Sequence, residues 1–350
     1  MNKWYENVDD TSDIFISSRI RLARNLQDMK FAPKLSNEEA DQLVNRVKEV
    51  LPKIKETDVS KRYYGCDVNE LSELDRNAMV EKHVISPEFA NKKQHTGLIL
   101  SEDESVSIMI NEEDHIRLQV MHNGMNLGDA LEEANRLDDV LSEALGYAFD
   151  EKLGYLTTCP TNIGTGLRAS YMVFLPMLTR AKKMPQLIEE VSKYGITIRG
   201  MYGEHSKSMG GLYQISNLKT LGYSEEELIE KLNCFVNQIV QQEKKRRLYL
   251  LSTQYDEIED AVNRSYGILK YAKSISTSEA MSLLADVKFG IDVEILKSFD
   301  KANIFRLMMA IQPNNLQWKF TKNVGKVMRD RMRAEYIRNH LPDIEEEATS

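Results

Sequence analysis

Cysteine is scarce in this 350-residue chain: Cys66, Cys159 and Cys234 are the only three, far apart in sequence. An odd, scattered set suits a reducing compartment and makes neither a disulfide framework nor a zinc cluster. Long apolar runs are missing as well. None approaches the roughly 18 residues of a membrane-spanning helix. Met1 to Ser12 is polar and acidic and holds no apolar signal segment, so a cytoplasmic location is expected, with no membrane contact. Positive charge is in deficit, with 46 Lys+Arg against 54 Asp+Glu and a net charge of −8. That balance argues against general nucleic-acid binding, which relies on a basic surface. Also absent are HExxH, GxSxG, any metal-ligand spacing and a GxxxxGK[ST] phosphate loop. No metal site built by the chain itself is expected.

What is present describes a globular protein, 42% hydrophobic and 29% charged. The length exceeds the roughly 250–300 residues at which one core stops growing, so two domains are expected. The stretch Thr157-Thr158-Cys159-Pro160-Thr161-Asn162-Ile163-Gly164-Thr165-Gly166-Leu167-Arg168-Ala169-Ser170 organises the first. A short strand (Leu153 to Leu156) leads into a loop punctuated by Pro and Gly, and a helix is predicted from Leu167 to about Arg180. Backbone N–H groups, a thiol and a guanidinium would then share one mouth, as an anion site requires. Three readings fit: an ordinary connection; a dinucleotide loop, since Gly164-x-Gly166-x-x-Ala169 matches that fingerprint loosely; or a phosphate site that also uses the cysteine.

Arginines at element ends favour the last. Arg19 and Arg21 alternate with Ile20 and Leu22, the period of a strand with one charged face. Two arginines on one face repel unless an anion sits between them; a solvated edge strand is the plain alternative. Arg117 follows the acidic turn Asn111-Glu112-Glu113-Asp114, which reads either as an exposed turn or as a cation site beside an anion site. Arg168 and Arg199 complete a set of five. Without a phosphate loop, bidentate arginines can still neutralise a phosphate-rich ligand.

Elsewhere the pattern is helical or hairpin-like. Ser36/Glu39 and Ser224/Glu227 form capping boxes. Gly97 to Leu100 and Ser105 to Ile110 read as a hairpin. Helices are predicted over Leu71–Lys82, Leu127–Phe149, Pro185–Tyr194 and Ser224–Leu250, and a strand over Ile196–Met201. The polar Gly-rich segment from Tyr202 to Gly211 is a candidate lid. Beyond about residue 252 strand signals vanish and four helical patterns follow, the last one basic; a domain boundary is placed there.

The segments SSRIRLARN, NEEDHIR, CPTNIGTGLRAS and RGMYGE resemble those of the phosphagen (guanidino) kinases, and more narrowly the bacterial McsB-type protein arginine kinases. The likeness implies an α+β fold: an antiparallel sheet flanked by helices (1–252), then an all-helical phosphoarginine-binding domain (253–350). It implies that Arg19, Arg21, Arg117, Arg168 and Arg199 clamp ATP, with Mg²⁺ held through the phosphates. The nucleotide site would comprise Ser17, Ser18, Arg19, Ile20 and Arg21; His83; Arg117; Arg168, Ala169, Ser170, Tyr171 and Met172; and Arg199, Gly200, Met201, Tyr202 and Gly203. Glu113 and Glu204 would hold the substrate guanidinium, with the Cys159 thiolate beside it. Tyr202 stands where metabolite-directed members have an arginine. Arg329-Asp330-Arg331-Met332-Arg333-Ala334 matches a phosphoarginine-pocket motif, with Arg329, Asp330, Arg333 and Ala334 as its residues. Arg329 and Arg333 lie four apart on one helical face. The implied role is phosphorylation of arginine in proteins, marking them for Clp-type proteolysis in a stress response. A zinc-binding activator and a homodimer are implied partners. A free guanidino kinase and a non-catalytic phosphoarginine-binding adaptor are the alternatives.

Overall fold

The arginine–aliphatic alternation near the N-terminus does form a strand, and it lies near the centre of the sheet. The computed structural model describes residues 2–6, 13–201, 209–298, 303–320 and 324–345. Its main element is an eight-stranded antiparallel sheet of order β2-β3-β4-β5-β1-β8-β10-β9. The strands are β1 (Phe15–Arg24), β2 (Tyr63–Asp67), β3 (Gly97–Ser101), β4 (Val106–Ile110), β5 (Ile116–Asn123), β8 (Leu167–Phe174), β9 (Ile196–Gly200) and β10 (Leu212–Asn217). A two-residue ribbon, β6 (Phe149–Asp150) with β7 (Gly154–Tyr155), stands apart.

Helices α1 (Asn37–Lys48), α2 (Leu51–Thr57), α3 (Glu73–Glu81), α4 (Pro87–Ala90), α5 (Leu127–Leu145), α6 (Pro176–Arg180) and α7 (Met184–Ser192) are interspersed with the strands. Then come α8 (Glu225–Thr253), α9 (Tyr255–Tyr271), α10 (Thr277–Asp292), α11 (Ile304–Ala310), α12 (Pro313–Lys319) and α13 (Lys326–His340). Both capping boxes form as read from the sequence. The helix opened by the Ser36/Glu39 box ends at Lys48, and Pro52, which cannot donate to a preceding carbonyl, lies in the first turn of a separate helix, α2.

Leu167–Phe174 is a central strand and not a helix; only Pro176–Arg180 after it is helical. Leu167, Ala169, Tyr171 and Val173 pack into one core, while Met172 and Phe174 enter another. A strand buried on both faces shows no polar alternation, so period 2 is hidden. The expected helix N-terminus therefore does not exist, and Arg168 is a strand residue.

The sheet divides two large cores, and a smaller third one packs Phe89 and Ala90 of α4 against Leu98, Leu100 and Met109. One face, with Ile20, Leu22, Leu118, Val120, Ala169 and Ile215, packs on α1, α5, α7 and α8. Each aliphatic side chain buried there contributes about 1.5–3 kcal/mol. The other face bears the arginines. Toward Met121, Met172 and Phe174 it shares a core with Trp4 and helices α9 to α13. The helical region thus covers one end of the arginine face and leaves the other end open.

Candidate active site

Strand register gathers the arginines. Arg21 lies opposite Arg168 on β8 and Gln119 on β5. Arg19 lies opposite Ser170, whose Oγ accepts from Arg19 Nε at 3.3 Å. Arg199 pairs with Gln214 across β9 and β10. All five line two adjoining hollows of about 620 and 420 Å³. Arg21, Arg117, Arg168 and Arg199 border both; Arg19 borders the smaller, beside His83, Gln119 and Met201.

The charges are costly as they stand. Burial and repulsion from Arg168 and Arg117 pull the Arg19 guanidinium down to about 9, still protonated at neutral pH. Burial and repulsion from Arg19, Arg117 and Arg168 pull Arg21 well below its ordinary value. Arg21 Nε is a buried donor with no partner among the described residues. A polyanion brought into these hollows would satisfy the donor and relieve the repulsion. His83, with φ of 61°, has its imidazole pushed down to about 3 by burial and by Arg19, so it is neutral here.

The larger hollow ends in carboxylates and a thiol. Arg117 donates to Glu112 at 2.6 Å and to Glu113 at 3.1 Å. Glu112 is buried, whereas the side chain of Glu113 is 42% exposed and can exchange its partner. Desolvation raises the Glu113 carboxyl above its ordinary value, and Arg117 opposes the rise. Asp114 accepts from Asn25 at 2.7 Å and from the Thr158 backbone N–H at 2.6 Å, which fixes the loop bearing Cys159. The Cys159 thiol lies 3.1 Å from Thr161 Oγ1.

Arg24 locks this loop from behind. It is 1% exposed, pairs with Asp138 at 2.7 Å, donates to Thr165 O at 2.8 Å and stacks 3.6 Å over the Tyr155 ring. Glu112, Asp114, Arg24, Glu88 and Lys92 were not singled out from sequence. The acidic turn was a signal for Glu112; Lys92, which donates to Asn111 and to Glu112 O, had none.

Several expected nucleotide residues do not face the hollows. Ile20, Ala169 and Tyr171 point into the opposite core, because neighbours on a strand alternate sides. Ser18 Oγ donates to Gly124 O, and Ser17 and Gly200 are buried away from the lining. Met172 packs with the C-terminal helices. Tyr202, Gly203 and Glu204 lie outside the described residues, as does most of the candidate lid. In α13, Arg333 is buried and donates to Ile311 O at 3.0 Å, Ile275 O at 2.9 Å and Asp330 at 2.6 Å. Arg329 is half-buried, and Ala334 is packed into the core.

The family model described as ATP:guanido phosphotransferase, C-terminal catalytic domain, matches residues 42–246, and the chain belongs to that family. Solved structures agree. Lombricine kinase shares 26% identity and a TM-score of 0.58, covering 67% of each chain. A duplicated taurocyamine kinase from Schistosoma mansoni shares 26% identity at a TM-score of 0.59, covering 78% of this chain and 42% of its own.

Within the family the chain belongs with the protein-arginine kinases. Residues 255–350 match the model described as the protein-arginine kinase McsB C-terminal domain. The protein-arginine kinase of Halothermothrix orenii is 42% identical over 97% of both chains. That of Clostridium tetani is 43% identical over 97% of this chain and 99% of its own. No described helix is long and apolar enough to cross a membrane.

Proposed function

We propose that this chain transfers the γ-phosphoryl group of ATP to arginine side chains of proteins. The observation carrying the reading is one sheet face with five guanidinium groups around two joined hollows, the larger ending at Glu113 and Cys159.

The chemistry follows from the groups present. A guanidinium has a pKa of about 13.8 and a carboxylate about 4. Prior deprotonation would cost roughly 13 kcal/mol, at about 1.36 per pKa unit. The carboxylate instead aligns the attacking nitrogen and accepts its proton as the N–P bond forms and the bond to the β-phosphate oxygen breaks. Glu113, its carboxyl raised by desolvation, suits that task, with Glu204 as its expected counterpart. Cys159 as thiolate would hold the guanidinium from a second side. The arginines neutralise charge spreading over the phosphoryl oxygens, and positioning supplies the remainder.

Among the described residues no group of three His, Cys, Asp or Glu could hold a metal ion. By the family resemblance, Mg²⁺ would enter on the nucleotide phosphates and supply further charge neutralisation there.

The reading includes a helical region after about residue 252, in which the family resemblance gives Arg329, Asp330, Arg333 and Ala334 to a phosphoarginine contact. Mg²⁺ dependence, a cytoplasmic location, a zinc-binding activator, a Clp-type protease and a homodimer belong to it through the family resemblance. The test is incorporation of acid-labile, base-tolerant phosphate from ATP into an unfolded protein, mapped to arginine. Transfer to free L-arginine in preference to protein would overturn it in favour of a metabolite kinase.

A further inference from the structure

Leu218 lines the larger catalytic hollow and also a third one, of about 330 Å³, on its far side. The third hollow lies between the end of α7, the start of β9, the segment after β10 and the first turns of α8. Lys193, Lys219 and Lys231 line it together with Tyr194 and Tyr223. Lys193 and Lys219 are exposed; Lys231 is half-buried, its ammonium 4.9 Å from the centre of the Tyr223 ring. None of the three lysines has an ion-pair partner among the described residues, in a chain whose net charge is −8.

Hydrogen bonds tie this hollow to the reaction site. Leu218 N–H donates to Gly195 O at 2.8 Å. Thr220 Oγ1 donates to Thr161 O at 3.1 Å and to Ile163 O at 2.6 Å, so the hollow's wall is bonded to the segment following Cys159. A polypeptide advances roughly 3.3 Å per extended residue. Leu218 and the hollow beyond it are therefore within reach of residues a few positions from an arginine that enters the larger hollow.

We propose that this hollow is a subsite for the substrate polypeptide, receiving an aspartate or glutamate side chain a few residues from the target arginine. The inference rests on the protein-arginine reading above and specifies its substrate. Three ammonium groups with no carboxylate of their own attract an anionic side chain, and the tyrosine rings give flat apolar surface to the adjoining backbone. Free L-arginine has no flanking residue to place there. The attraction is exposed to solvent, so it weakens as salt rises.

The experiment compares two peptides with a single arginine, identical except for glutamate or glutamine at the flanking positions. The full chain and its Lys193→Gln, Lys219→Gln, Lys231→Gln variant phosphorylate each at low and high salt. The full chain is expected to show a KM roughly tenfold lower for the glutamate peptide, with kcat unchanged and the difference shrinking at high salt. In the variant the difference disappears, while KM for ATP and turnover of the glutamine peptide stay as they were. Equal KM for both peptides in the full chain overturns the subsite alone. A raised KM for ATP in the variant also overturns it, assigning the lysines to nucleotide. Absence of arginine phosphate in every peptide overturns the arginine-kinase reading and the subsite together.

Discussion

Glu113 and Arg117 hold each other at 3.1 Å until an acceptor guanidinium competes for the carboxylate. Replacing the carboxylate with an amide keeps shape and removes the base. Glu113→Gln and Glu204→Gln are each expected to lower kcat by about 10²–10⁴-fold with little change in KM for ATP, measured by steady-state kinetics. Full turnover in either would remove it from the reaction. His83 gives a pH signature. Its folded pKa of about 3 lies below the ordinary 6.5, so the unfolded chain binds more protons between those values. Its contribution is complete above pH 6.5 and is lost as pH falls toward 3. His83→Asn, which tolerates the positive φ, should flatten the loss by about 1 kcal/mol per pH unit on denaturant titration. The arginines could be read from sequence because cations alternating with aliphatics are costly without a purpose. Arg24 and Lys92 could not: nothing local distinguishes an arginine locked under a loop from one in solvent.

At the scale of elements, the loop from Thr157 to Gly166 shows what backbone geometry adds. Gly166 has φ of 65°, and a Cβ there would lie 2.6 Å from both Ala23 O and Arg24 Nη1. Gly166→Ala forces Arg24 from its place beneath the loop. It should lower kcat at least tenfold, since small displacements near reacting groups are expensive, and cost about 1–3 kcal/mol in stability. Near-normal kinetics in the folded variant would show that the loop does not depend on Arg24. The hairpin, both capping boxes and the long helices were legible because their signals are local. β8 reads as a helix from its sequence, and β2, β5 and α12 carry no clear local signal. β8 and β5 are covered on both faces by the rest of the chain, so their side chains carry no solvent-facing stripe.

For the molecule as a whole, the C-terminal helices meet the nucleotide side along α3, where Asp75 accepts from Trp318 Nε1 at 3.0 Å and Lys82 lies over the Trp318 ring. Glu81, at the end of α3, accepts from Asn314 N–H at 2.9 Å, Asn315 N–H at 2.7 Å and Asn314 Nδ2 at 2.7 Å, capping the start of α12. His83 follows two residues later on the wall of the smaller hollow. Glu81→Ala is expected to destabilise the chain by about 1–3 kcal/mol in denaturant unfolding and to raise KM for ATP. An unchanged KM would mean that the helices do not brace that wall. The pattern after about residue 252 showed the helical character of this region but not its seat on the arginine face, which depends on Met121, Met172 and Phe174 being drawn into its core.

The arginine-lined face has a consequence at the bench. Strands hold its cations together whether or not nucleotide is present, so sulfate, citrate or pyrophosphate in a storage buffer will settle among them and compete with ATP. Preparations kept in such salts should look sturdier and slower than those kept in chloride, with no change in the polypeptide at all.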